Sequence, residues 1–161
     1  MEIILFGCKD TTLHISKLFH RKGVLINLIT ISPQKGLEQN VAGYEDLTKH
    51  QELFKTIYIA KKYNLKNEID FDYFKNLNPF LGFAIGWQRL VPEKILNCFS
   101  CGVFGMHGSA KDLPFGRGRS PMNWSLIEGR KWFYTNLFKY SSGIDNGDIV
   151  GKECFSIQET D

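Results

Sequence analysis

The feature that most constrains this chain is a recurrent pairing of a short apolar run with a polar, helix-spaced stretch. "EIILFG" (Glu2–Gly7) ends in a glycine, and Leu13, Ile15, Leu18 and Phe19 then recur at helical spacing, with Asp10 or Thr11 as the expected cap. "VLINLITIS" (Val24–Ser32), "TIYIA" (Thr56–Ala60), "FLGFAIG" (Phe80–Gly86) and "GVFGM" (Gly102–Met106) read as four further strands. Near-continuous apolar runs suit strands covered on both faces. Between them, Ile69, Phe71, Phe74 and Leu77 mark a helix over 67–77, and "PEKIL" (Pro92–Leu96) a short one opened by proline. Pro33–Leu47 is polar, carries glycine and proline breakers, and reads as a loop. This alternation predicts an α/β, Rossmann-like fold: an open, mostly parallel twisted sheet with helices on both faces. Farther on, "PMNWSLIEG" (Pro121–Gly129) is punctuated as a helix, and 131–140 and 148–157 read as two strands around "SSGIDNGD". With 161 residues, the chain suits one domain around one core.

Charge and composition narrow the function classes. The net charge is +3, and no segment is dominated by lysine and arginine, so the chain suits an anionic ligand but lacks a nucleic-acid footprint. Glu2 stands where a signal peptide has positive charge, and no run reaches the eighteen or so apolar residues of a membrane span, which points to the cytoplasm. Cys98 and Cys101 have CxxC spacing, but no second pair or paired histidines complete a zinc site. No metal is expected.

The stretch "GMHGSAKDLPFGRGRSP" (Gly105–Pro121) follows the fifth predicted strand directly. Open α/β sheets bind ligands at the carboxyl ends of their strands, so His107 stands on a candidate rim. Its imidazole takes or gives a proton near neutrality. By residue pattern alone, a histidine that merely bonds a loop fits equally well. "GIDNGD" offers Asp145 and Asp148, or simply a turn using Asn146-Gly147 for positive φ, with solvated carboxylates. "FGCKD" lacks the GxGxxG spacing of a dinucleotide site.

Several motifs in order carry a resemblance. His107-Gly108-Ser109, Leu113-Pro114 with Arg117-Gly118, Pro121 and Trp124, and Gly143-Ile144-Asp145-Asn146-Gly147-Asp148 stand in sequence, after "FAIGW" (Phe83–Trp87) and "LVPEKIL". The chain resembles the catalytic domain of the N10-formyltetrahydrofolate-dependent formyltransferases. That family includes methionyl-tRNA formyltransferase, glycinamide ribonucleotide transformylase and the sugar N-formyltransferases. The resemblance implies a single formyltransferase catalytic domain over 1–161, with N10-formyltetrahydrofolate as formyl donor and no metal. It implies His107 and Asp145, rather than Asp148, as the catalytic pair. Phe83, Ile85, Gly86, Trp87, Gly143 and Ile144 are implied at the folate site, and Ser109 and Arg117 at the acceptor.

The chain also departs from the family pattern. The family's asparagine two residues before the histidine is Gly105 here. That side chain donates to the developing oxyanion, so a glycine-exposed backbone N–H at Gly105 or the Asn123 amide is expected to substitute. "GSAKD" adds two residues before Pro114, and "FGCKDTT" poorly matches the purine-pathway enzyme's glycine-rich loop. The chain stops soon after the last predicted strand, which argues against a tRNA substrate. The preferred acceptor is therefore a small, phosphate-bearing amine, an amino-sugar nucleotide for polysaccharide synthesis. No nucleic acid or membrane partner is expected, and a homodimer is left open. The alternatives are a methionyl-tRNA formyltransferase-like fragment and a catalytically silent folate-binding domain.

Overall fold

The computed structural model describes residues 1–111 and 113–158. Seven strands, β1 (Ile3–Phe6), β2 (Asn27–Thr30), β3 (Thr56–Ile59), β4 (Leu81–Ala84), β5 (Gly102–Ser109), β6 (Trp132–Lys139) and β7 (Ile149–Ser156), stand in the order β3-β2-β1-β4-β5-β6-β7. By internal contacts the chain divides into two compact units, Met1–Val103 and Phe104–Asp161, and the boundary falls inside β5.

The first unit holds β1 (Ile3–Phe6), α1 (Asp10–Arg21), β2 (Asn27–Thr30), α2 (Pro33–Glu38), β3 (Thr56–Ile59), α3 (Glu68–Leu77), β4 (Leu81–Ala84) and α4 (Glu93–Leu96). β1 pairs in parallel with β2 and with β4, and β2 with β3. Register aligns Leu5 with Leu28 and Phe83, and Leu28 with Ile57. Side chains alternate along a strand, so these four share one face. That face packs with Leu13, Ile15 and Phe19 of α1. Phe6 points to the opposite face, where it stacks on Phe74 of α3 at 5.5 Å and approaches Phe99 at 6.0 Å. Tyr58 stacks on Tyr73 of α3 at 3.8 Å. Helices thus cover both faces, as the run of apolar strands predicts.

Local chemistry sets the helix ends. Asn67 Oδ1 accepts from the Asp70 N–H at 3.0 Å to cap α3. Asp70, fully buried, accepts from the Tyr58 hydroxyl and the backbone N–H groups of Lys61 and Lys62, which ties α3 to the end of β3. Two expectations are corrected. α1 is capped at Lys9, whose N–H donates to Thr12 Oγ1 at 3.3 Å, rather than by Asp10 or Thr11. The Pro33–Leu47 loop begins with helix α2, opened by the Ser32 hydroxyl accepting from Lys35 N–H and by proline in its first turn.

The second unit is antiparallel. β5 (Gly102–Ser109), α5 (Pro121–Ile127), β6 (Trp132–Lys139) and β7 (Ile149–Ser156) follow in order, and β6 pairs with both other strands. β5 runs three residues beyond its expected end at Met106, because Ser109 still pairs with Tyr134 across the ladder. His107 therefore lies within a strand rather than past one. No helix among the described residues is long and apolar enough to cross a membrane.

Candidate active site

Alternation along β5 puts Gly105, His107 and Ser109 on one face, and all three are buried. Their cross-strand partners on β6 are Phe138, Asn136 and Tyr134. His107 is 9% exposed, and each of its ring nitrogens faces an oxygen. Nε2 lies 2.9 Å from the Gly116 carbonyl, and Nδ1 lies 3.5 Å from Asp145 Oδ2. A carbonyl only accepts, so Nε2 carries a proton here. Nδ1 is then the ring nitrogen that faces the carboxylate. Asp145 is aimed by a second contact: the Gly118 N–H donates to its Oδ2 at 2.8 Å. Asp145 itself holds a left-handed backbone, φ 44°; of the turn residues read as positive in φ, Gly147 is so, at 134°, and Asn146 is not. Asp148 is exposed.

The loop after β5 is fastened to the same face. Ser109, fully buried, donates to the Phe115 carbonyl at 3.2 Å and accepts from Lys111 N–H at 3.1 Å. Gly116 has φ +76°, and a Cβ there would stand 2.0 Å from the Ser109 hydroxyl, so only glycine lets the loop bring its carbonyl to His107. Arg117 donates to Asn146 Oδ1 at 2.9 Å and thereby links this loop to the Asp145 turn. Beside it runs a cleft lined by Ser109, Lys111, Arg117, Arg119, Trp124 and Glu128 among others. Three of those residues are cationic, and Trp124 is 58% exposed. Asn123 is exposed on α5, and Gly143 and exposed Ile144 open the Asp145 turn.

The remaining candidates lie in the first unit. Phe83 packs on Phe19 at 5.8 Å within the core. The Ile85 carbonyl accepts from Thr12 Oγ1 at 2.7 Å, and the Gly86 carbonyl accepts from Cys8 N–H. Trp87 is 8% exposed and packs against Tyr63 and Phe6, yet its indole N–H has no hydrogen-bond partner among the described residues. A buried donor of that kind is costly unless a ligand meets it. Cys8, Cys98, Cys101 and Cys154 are free thiols, and no cluster of metal-ligating side chains occurs among the described residues.

Comparison with known proteins decides the family. A methionyl-tRNA formyltransferase of Caldanaerobacter subterraneus is 26% identical over 162 residues, covering 100% of this chain and 52% of its own length. The bifunctional polymyxin resistance protein ArnA of Wigglesworthia glossinidia is 36% identical over 98 residues, covering 61% of this chain and 15% of its own. Among solved structures, a phosphoribosylglycinamide formyltransferase from Bacillus halodurans superposes with a TM-score of 0.73 at 19% identity, over 100% of this chain and 82% of that one. The chain belongs to the formyltransferase family. No protein-family model matches it. The chain spans about half the length of the methionyl-tRNA formyltransferase it matches.

One residue beside the buried face of β5 is not found by sequence reasoning. The space that a side chain at Gly105 would enter is taken by the ring of Tyr140. A Cβ on Gly105 would lie 2.2 Å from Tyr140 Cε1 and 2.3 Å from its hydroxyl. The only sequence signal is parity: Tyr140 stands two residues after Phe138, the cross-strand partner of Gly105.

Proposed function

We propose that this chain is the single catalytic domain of an N-formyltransferase, spanning 1–161. It moves a formyl group from N10-formyltetrahydrofolate to a primary amine. The observation that carries this reading is His107, set in a family fold with Nε2–H directed at a carbonyl oxygen and Nδ1 facing Asp145. The bound folate supplies an activated formyl carbon on a nitrogen leaving group. In this reading His107 Nε2–H turns from the Gly116 carbonyl to the formyl oxygen and donates to it as charge develops there. The adding amine gains positive charge and passes its proton, by way of the Asp145 carboxylate, to Nδ1 of His107. Collapse returns that proton to the departing nitrogen. Gly118 N–H keeps the carboxylate in place throughout.

The residues of "FAIGW" fit a folate in one respect that the sequence does not show. The unpartnered Trp87 indole N–H is a donor suited to a pterin oxygen or ring nitrogen, beside Phe83, Ile85 and Gly86. For the acceptor, the cleft with Lys111, Arg117, Arg119 and the exposed Trp124 face supports a phosphate-bearing molecule with a flat ring. Arginine forks match phosphate oxygens, and an indole face accepts a base or sugar. An amino-sugar nucleotide has all of these parts. A second reading, transfer to methionyl-tRNA, is favoured by the names of the sequence relatives.

The test is release of tetrahydrofolate and mass-spectrometric detection of the formamide. The protein is incubated with N10-formyltetrahydrofolate and, separately, with amino-sugar nucleotides and charged initiator tRNA. Turnover with the sugar nucleotides alone is expected. Turnover with tRNA alone selects the second reading. Folate binding without turnover on any amine overturns both, in favour of a silent binding domain.

A further inference from the structure

Tyr140 closes the buried face that carries His107. Its ring lies 5.1 Å from that of Phe138, so the two share a side of the extended chain, and Phe138 faces Gly105 across the ladder. A Cβ on Gly105 would meet Tyr140 Cζ at 2.4 Å and its hydroxyl at 2.3 Å. Carbon atoms in contact stand about 3.5–4.0 Å apart, so the phenol end occupies the volume in which a side chain at 105 would begin. Positions 105 and 107 point the same way, roughly 7 Å apart along the strand. The Tyr140 hydroxyl thus reaches the side of β5 from which His107 works.

Two properties fit this hydroxyl for a ligand. It has no hydrogen-bond partner among the described residues. Burial, and after it the Asp145 carboxylate, push the phenol up to about 12, so it is a protonated donor throughout the neutral range. Tyr140 is half-buried and leaves its hydroxyl unspent, with the Asp145 carboxylate near enough to raise its pKa.

We propose that Tyr140 is a further catalytic residue: its hydroxyl donates to the formyl oxygen alongside His107 Nε2–H, and Gly105 is the opening that admits it. The proposal rests on the formyltransferase reading above. The new bond joins the amine nitrogen to the formyl carbon, and the carbonyl π pair moves to oxygen. Re-forming the carbonyl breaks the bond from carbon to the folate N10, which takes up the proton lost by the amine. Tyr140 gives up no proton; its hydrogen bond strengthens as the oxygen becomes negative. Removing one such donor costs about 10²–10³ in kcat.

The experiment compares kcat, the KM for donor and the thermal midpoint in wild type, Tyr140→Phe, Gly105→Asn, Tyr140→Ala and the double variant Gly105→Asn/Tyr140→Ala. Tyr140→Phe keeps the ring and is expected to lower kcat by about 100-fold, with donor KM and melting temperature close to wild type. Gly105→Asn alone is expected to be less active still, because its Cβ meets the phenol. The double variant, which exchanges the phenol for an amide donor, is expected to exceed Tyr140→Ala. Should Tyr140→Phe melt early, fluorinated tyrosine at 140 replaces it as the variant. Its lower phenol pKa is expected to move the alkaline limb of kcat to lower pH. An unchanged kcat in Tyr140→Phe, or an unmoved limb with fluorotyrosine, overturns this proposal alone. A wild type inactive on every amine overturns the transferase reading and this one with it.

Discussion

The two units of this chain solve different problems with the same kind of strand. In the first, every residue of β2 and the last three of β1 are buried, because helices cover both faces. In the second, β7 is exposed at seven of its eight positions, while β5 and β6 alternate. The buried face of that alternation includes the polar residues His107, Ser109 and Asn136. β2 does bury the polar Asn27 and Thr30, but Asn27 spends its amide on Glu2 and the Ile3 carbonyl, so the polar group serves the sheet itself. A strand buried on one side can bury polar groups selectively and aim them. The difference teaches that stability and function in this protein are separable by residue.

The largest expected effect tests that separation from the functional side. His107→Ala and Asp145→Ala are each expected to lower kcat for formyl transfer by about 10²–10⁴, the usual range for a positioned acid or base. Denaturant midpoints are expected to stay near wild type, since the 3.5 Å pair is partly exposed at Asp145. Either variant retaining wild-type kcat breaks the assignment of roles. A large fall in midpoint shows instead that the pair belongs to the core.

The mirror experiment is Phe74→Ala in the first unit. Phe74 is fully buried and packs on Phe6, Tyr73 and Phe99. Truncation removes a large ring and leaves a cavity, which costs about 3–5 kcal/mol. Equilibrium urea unfolding is expected to show that loss, with kcat per folded molecule little changed. A loss under 1 kcal/mol would mean that the second face of the parallel sheet contributes little, contrary to the comparison.

How much of this was legible follows the same division. The parallel strands and α1, α3 and α4 are readable because each apolar run and its helical partner are local patterns. α2 was hidden by Gly36, a helix-weakening residue that is needed because a Cβ there would meet the Tyr44 ring at 2.5 Å. The true end of β5 was hidden because Tyr134 extends it from 25 residues away, a pairing that no local window contains. His107 and Asp145 were found through the order of their motifs, and the structure brings them together. Tyr140 is not legible from Gly105, because the ring that fills the space there comes from 35 residues downstream.

The smallest expected effect sharpens the comparison with one tyrosine from each unit. Tyr44 and Tyr140 are both pushed up to about 12, in each case first by burial and then by a neighbouring carboxylate, Asp46 or Asp145. A phenol's unfolded value is about 10, so between pH 10 and 12 the folded state holds a proton that the unfolded state has lost. Stability falls with rising pH wherever the folded state binds more protons. Each phenol's contribution is therefore fully present below about pH 10 and is lost as pH rises toward 12. Tyr44→Phe and Tyr140→Phe are each expected to flatten the alkaline decline in urea midpoint by the share of one proton. At neutral pH Tyr44→Phe is expected to be neutral or slightly stabilising, because it deletes a buried hydroxyl that has no partner among the described residues. The two variants then look alike in stability and differ in turnover, with kcat falling only in Tyr140→Phe. Equal kcat in both would place Tyr140 with Tyr44, as a packed ring whose hydroxyl does nothing for the reaction.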